Sequence, residues 1–219
     1  MRGGLRAGLL VSAALFLVGP AFAPAQSTAG ATIILDASAL KPPAGSRVAI
    51  VEFDDLECPA CAHANPQLKA AAAQYKIPWI RHDFLIPAHR WSRQAAIKAR
   101  WFDTKSKALG DEYRDEVFAN QNSIFNLVML QQFTDKFAQD HSVVVPFAID
   151  PQGKLADAVQ ADSDLAMRMG LKSTPSIFIV AANSKGAPYI QVRDADKDLY
   201  QAIDQALADT RAAAPAKKH

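Results

Sequence analysis

Cys58 and Cys61 are the only cysteines in 219 residues, and Pro59 and Ala60 separate them. A thiol pair at that spacing can close into a disulfide, bind a metal or carry a haem, and its surroundings weigh between these chemistries. A bridge across so short a loop constrains the unfolded chain little, which argues against a purely structural disulfide. A zinc site would combine Cys58, Cys61 and His63 with a distant ligand, yet two thiolates cannot make a four-sulfur site within one chain and no His-x₃₋₅-His pair follows. Haem attachment requires histidine directly after the second cysteine; Ala62 stands there and His63 comes one place late. The reading best matched by this spacing is reversible two-electron exchange, in which one sulfur forms a mixed disulfide and the other resolves it.

Such exchange needs a thiolate, and the flanking sequence supplies a way to make one. Residues 47–54 (Arg-Val-Ala-Ile-Val-Glu-Phe-Asp) are β-branched and mostly apolar, the pattern of a buried central strand. A helix is predicted from Pro59 to about Tyr75, with Pro59 suited to the first helical position. Cys58 then faces unpaired backbone N–H groups and the positive end of the helix dipole, both of which favour thiolate over thiol. Cys61 lies one turn inside, more buried. This geometry makes Cys58 the sulfur that attacks or is attacked and Cys61 the one that resolves. Pro66, inside the same helix, must kink it or cost about 3 kcal/mol.

The remaining elements follow from periodicity. Residues 77–86 read as a second strand, so a parallel βαβ unit is expected. From about residue 88 to 170 the spacing is helical: Trp91, Ala95 and Ala99; Tyr113 and Val117; the stretch 124–137; then a helix over 154–169 that stops at Gly170. Thr174-Pro175 introduces a strand over 176–180, a turn covers 183–186, and a strand covers 189–192. An amphipathic helix over 196–209 closes the domain, with Leu199, Ile203 and Leu207 on one face. The fold class is therefore α/β, a thioredoxin fold with a helical insertion between its βαβ and ββα halves. Residues 47–87 and 171–210 form the core and 88–170 the insertion; 26–46 are a lead-in with a short strand at 32–35 and a loop at 41–46, and 211–219 a flexible tail.

Composition excludes several classes. Half of the residues are hydrophobic and 21% charged, which is globular rather than disordered. A mean hydropathy near zero excludes a polytopic membrane protein. A net charge of +2 is too balanced for a dedicated nucleic-acid binder. Residues 1–25 have the layout of a secretory signal peptide: Arg2 and Arg6, an apolar run over 9–18, a break at Gly19-Pro20, and small-x-small sites at 21–23 and 23–25, with cleavage expected after Ala25. The alternative is an uncleaved anchor, although the run is short against ~30 Å of hydrocarbon. Removal deletes two arginines and no acid, leaving equal numbers of basic and acidic residues. A periplasmic or otherwise exported location follows, and with it an oxidising environment.

Segment 51–61 (Val-Glu-Phe-Asp-Asp-Leu-Glu-Cys-Pro-Ala-Cys) resembles the active-site segment of DsbA-like thiol–disulfide oxidoreductases. Segment 172–180 (Lys-Ser-Thr-Pro-Ser-Ile-Phe-Ile-Val) resembles their second hallmark, a cis proline that precedes a strand and faces the cysteine pair. The resemblance spans about residues 47–209; the helical block matches only in position and character. It implies that Pro175 is cis, that Thr174 lines the substrate groove beside Pro59 and Ala60, and that an extended peptide is captured by strand addition. It also implies that Glu52, an acid in an apolar strand, is buried and handles the proton of Cys61; strand alternation turning it outward is the competing reading. Arg81 or His82 is the expected charge partner. Ala60 departs from the best-known member, which carries histidine there, so this position gives the Cys58 thiolate neither charge nor hydrogen bond.

The function implied is donation of the Cys58–Cys61 disulfide to extended, cysteine-containing exported proteins, followed by reoxidation by a membrane redox partner. No metal or organic cofactor is called for, because the disulfide carries the two electrons. A reductase or isomerase of the same fold is one alternative, though the stretch between residues 25 and 47 is too short for an added dimerisation domain; a monomer is expected. A peptide-binding chaperone with a non-catalytic cysteine pair is another. The remaining candidates read as structural: His89 and His141 at the surface or in loops; Asp54, Asp55 and Glu57 as solvated loop acids; Met129, Met167 and Met169 as core; Phe125, Phe133 and Phe137 as the core of the insertion.

Overall fold

The computed structural model describes Met1 and residues 33–210. The signal-peptide reading of residues 1–25, apart from Met1, and the flexible tail at 211–219 lie outside the described residues.

The predicted central strand is β1 (Val48–Asp54), with every residue buried. Successive side chains point to opposite faces. Val48 and Ile50 pack against α1 (Pro59–Tyr75) and α6 (Ala195–Asp209), whereas Ala49, Val51 and Phe53 pack on the opposite face with Met169 and Ala166 of α5 (Lys154–Met169). β2 (Trp79–Asp83) pairs with β1 in parallel, β3 (Ser176–Ala181) pairs with β1 antiparallel, and β4 (Tyr189–Val192) pairs with β3 antiparallel, giving the order β2-β1-β3-β4. β1 and β3 thus occupy the centre, and their apolar residues are each worth ~1.5–3 kcal/mol of burial. Helix α1 runs unbroken through the exposed Pro66.

Between β2 and β3 come α2 (Ser92–Asp103), α3 (Lys107–Ala119), a 3-10 turn (Gln121–Ser123), α4 (Leu127–Asp140) and α5. Phe102, Tyr113 and Phe137 form its aromatic centre, with ring centroids 4.7–5.1 Å apart. Cys58, Cys61 and Leu56 belong to this same apolar cluster. The insertion therefore packs directly on the cysteine pair.

Several expectations need correction. β2 ends at Asp83, not Ile86: Phe84 N–H still donates to Asp54 O (2.7 Å), but Leu85 N–H donates to Ser163 Oγ (3.1 Å) and Ile86 N–H to Asp55 Oδ2 (2.8 Å). Residues 33–35 form no strand, although Leu35 N–H donates to Met169 O (3.0 Å). Residues 141–153 contain no helix; Val143, Val144 and Val145 are β-branched and Pro146 lacks a donor. Phe125 is 69% exposed rather than core. Helix α4 begins only after Asn126, whose side chain accepts from Val128 and Met129 N–H, so Phe125 stands outside the helical spacing. Met169 is fully buried and Met129 half-buried, but Met167 faces solvent on the outer side of α5. That helix ends as expected at Gly170, whose φ of 82° is the left-handed cap favoured by glycine.

Candidate functional site

Cys58 is the N-cap of α1 and Pro59 opens it, so the first-turn amides of Ala60 and Cys61 are free to meet the Cys58 sulfur. Both cysteines are free thiols; Cys58 is 7% exposed and Cys61 fully buried. The Cys58 thiol pKa is lowered to about 5. The hydrogen bond with Cys61 is the largest cause; burial opposes it, and the side chain of Thr174 and the Cys61 and Ala60 amides lower the pKa further. The Cys61 thiol is pushed far the other way, first by burial, then by its bond to Cys58 and by the charges of Asp54 and Glu52. One sulfur is poised as thiolate and the other holds its proton.

Thr174-Pro175 faces this pair. The peptide bond is cis, and Cys58 Sγ lies 3.4 Å from Thr174 O, to which the thiol donates. Thr174 and Pro175 are half-buried and Pro59 and Ala60 exposed, so all four border an accessible rim. His63 does not join the cysteines: its Nε2 lies 2.9 Å from Asp196 Oδ2.

Glu52 is inside. It shares a face of β1 with Val48 and Ile50, the face toward α1, and is fully buried. Trp79 Nε1 donates to Oε2 (3.0 Å), while Oε1 has no hydrogen-bond partner among the described residues. Burial raises its pKa to about 8, reinforced by the charge of Asp54 and opposed by Arg81. Arg81 stands opposite Glu52 in the β1–β2 register, as a charge partner would, yet its hydrogen bonds go elsewhere: Nε to Asp54 Oδ2 (3.2 Å) and Nη2 to Asn65 Oδ1 (2.9 Å), with Nη1 3.4 Å from Asp115 Oδ1. Its guanidinium also lies 4.3 Å from the Trp79 ring centroid, so Asp54, Arg81, Trp79 and Glu52 form one continuous chain. His82 turns to the other face, stacks on Phe53 and meets Asp162 (3.0 Å).

The three acids expected to be solvated are not. Asp54 is 2% exposed and Asp55 1%. Burial raises the Asp54 pKa to about 6 despite Arg81. Asp55 accepts from the Glu57 and Ile86 amides (2.8 Å each), and His89 Nδ1 lies 3.0 Å from it, so His89 is a loop partner rather than a bystander. Glu57 Oε2 accepts from Trp91 and Ser92 N–H (2.7 and 3.1 Å), supplying from the cysteine loop the cap that α2 lacks at its own N-terminus. Sequence reasoning missed Asp54, Trp79 and Gln121, whose side chain reaches the cysteine loop. Asp54 had a signal, the two-residue period it shares with Glu52; the other two had none.

The thioredoxin family matches residues 44–205. Among solved structures, alpha-DsbA1 of Wolbachia pipientis superposes with a TM-score of 0.62 at 17% identity, covering 78% of this chain and 90% of that one. DsbA2 of Pseudomonas aeruginosa gives 0.54 at 22% identity, over 75% and 91%. Oxidised BdbD of Bacillus subtilis gives 0.52 at 13% identity, over 81% and 97%. No curated protein matches significantly. The chain belongs to the thioredoxin family and has the DsbA-like form of its fold, with helices inserted between the βαβ and ββα halves.

Proposed function

We propose that the protein is an exported thiol–disulfide oxidoreductase that donates the Cys58–Cys61 disulfide to cysteines of extended protein substrates. The observation that carries this reading is the pairing of an acidic, N-capping Cys58 with a buried, proton-holding Cys61. Stabilising the thiolate stabilises the reduced pair, and a stable reduced pair makes the disulfide the stronger oxidant.

In the forward reaction a substrate thiolate attacks Cys58 Sγ. The Cys58–Cys61 bond breaks, a mixed disulfide forms, and the Cys61 sulfur leaves and takes up a proton from Glu52. A second substrate thiolate attacks the substrate sulfur of the mixed disulfide and releases Cys58 as thiolate. Two electrons pass from substrate to enzyme. Pro59, Ala60, Thr174 and Pro175 hold the extended substrate, and a membrane redox partner reoxidises the pair; neither step needs a metal or organic cofactor.

Equilibration in glutathione buffers tests the direction. A potential near about −120 mV supports donation; one near about −270 mV reverses the direction. Cys58→Ser abolishes turnover on a reduced peptide substrate in this reading; retained turnover, or a pair that no buffer reduces, overturns the enzyme.

A further inference from the structure

Gln121 opens the 3-10 turn between α3 and α4, far in sequence from the cysteines, yet its side-chain amide reaches the cysteine loop. Nε2 donates to Leu56 O at 2.8 Å and to Cys58 O at 3.1 Å. Both amide hydrogens are used, and two carbonyl acceptors leave no ambiguity about which way the amide faces. The acceptors bracket the nucleophile. Cys58 O also receives Ala62 N–H (3.1 Å), the first helical bond of α1. With these two carbonyls held by Gln121, the sulfur meets the Ala60 and Cys61 amides, and the backbone oxygen recorded against it is Thr174 O at 3.4 Å rather than either of its own loop's carbonyls. The positive end of the Gln121 amide dipole also lies beside the Cys58 backbone. Both effects favour negative charge on Sγ.

We propose that Gln121 is a positioning residue of the redox site: it holds the Leu56 and Cys58 carbonyls turned into the insertion and thereby stabilises the Cys58 thiolate and the reduced pair. The inference rests on the redox reading above. It assigns part of the tuning of the cysteine pair to the helical insertion, at a position where the segment between the cysteines, Pro59-Ala60, offers no side-chain hydrogen bond of its own.

The test uses the full chain and three variants. Gln121→Met keeps the length and loses the donors, Gln121→Ala loses both, and Gln121→Lys keeps a donor. Thiolate absorbance against pH reads the Cys58 midpoint, glutathione equilibration reads the redox constant, and urea unfolding reads stability separately. The net worth of such a hydrogen bond predicts that Met and Ala raise the midpoint and shift the equilibrium toward the disulfide by about three- to tenfold, with Lys at or beyond the wild-type value. If Met and Ala match wild type in midpoint and equilibrium while losing stability, Gln121 is only structural and the proposal is overturned. The same holds if Ala alone differs, because packing rather than donation is then responsible. As a check that needs no variant, the Gln121 side-chain amide resonances of wild type should shift as Cys58 titrates; resonances that ignore the titration overturn it. A wild-type pair that cannot be reduced overturns the redox reading itself, an outcome visible before any variant is made.

Discussion

On the face of β1 that looks toward α1, Val48 and Ile50 are followed by Glu52 and Asp54, and all four are at most 2% exposed. Burial is the same along the face, and its consequence reverses halfway. Val48 and Ile50 gain from leaving water. Glu52 and Asp54 lose by it, and their pKa values rise to about 8 and about 6 because the buried site disfavours their charges. The first half of the strand holds the sheet on its helices; the second half spends part of that stability on two carboxyls beside Cys61, of which Glu52 keeps its proton at neutral pH while Asp54 gives its proton up at about 6. Arg81 limits the loss at Asp54, and Trp79 donates to Glu52.

Substitutions along this one face can break or sharpen the contrast. Ile50→Ala should have the largest effect on stability, a loss of about 2–5 kcal/mol in urea unfolding, with the glutathione equilibrium unmoved. A redox shift of comparable size would end the division between the two halves. Glu52→Gln should act through pH. Glu52 in the folded protein keeps a proton that the unfolded chain gives up between 4.5 and about 8. Wild-type stability should therefore be full below the lower value and fall as pH rises through the upper one, at most about 1.4 kcal/mol per pH unit. The variant should flatten that slope and slow release of the Cys61 sulfur in single-turnover exchange; an unchanged slope would mean that Glu52 is ionised in the fold. Asp54→Asn removes a negative neighbour that raises Glu52, so the Glu52 titration, followed by carboxyl NMR, should move below about 8. A titration that stays in place would uncouple the two acids. Trp79→Phe should give the smallest effect: loss of one donor to Glu52, about 1 kcal/mol of stability, and a Glu52 titration moved further upward.

What could be read in the sequence is what neighbours in sequence decide. The β-branched run of β1, Pro59 at the start of α1 and Gly170 at the end of α5 are local signals, and the elements lie where those signals put them. The βαβ and ββα order carries the sheet topology with it. Glu52 was legible as a buried acid from its place in an apolar strand and from the family resemblance, whereas strand alternation alone left its direction open. Asp55 and Glu57 were misread because their partners, the amides of Ile86, Trp91 and Ser92, arrive only when the chain folds back. The end of β2 was missed for the same reason, the amides of Leu85 and Ile86 being taken by Ser163 and Asp55. Phe125 misled because a helical spacing says nothing of which residue caps the helix. Gln121 was invisible, since a glutamine in a turn carries no pattern until its two carbonyls are in view.

The contact between Cys58 and Thr174 joins positions 116 residues apart, and Gln121 lies more than 60 residues from the carbonyls it holds. During synthesis Cys58 therefore precedes Thr174, whose side chain helps to lower its thiol pKa. A ribosome that has made only the first hundred residues has exposed a cysteine pair whose helix terminus is formed at best and whose other supports do not yet exist. The lowering of the Cys58 pKa should be complete only once Thr174 has been made and reaches the sulfur. Arrested nascent chains stopped before Thr174 should accordingly alkylate at Cys58 with ordinary thiol pH dependence. The finished protein should react several pH units lower, and under the proposed function an unfinished chain would trade disulfides more slowly than a folded one.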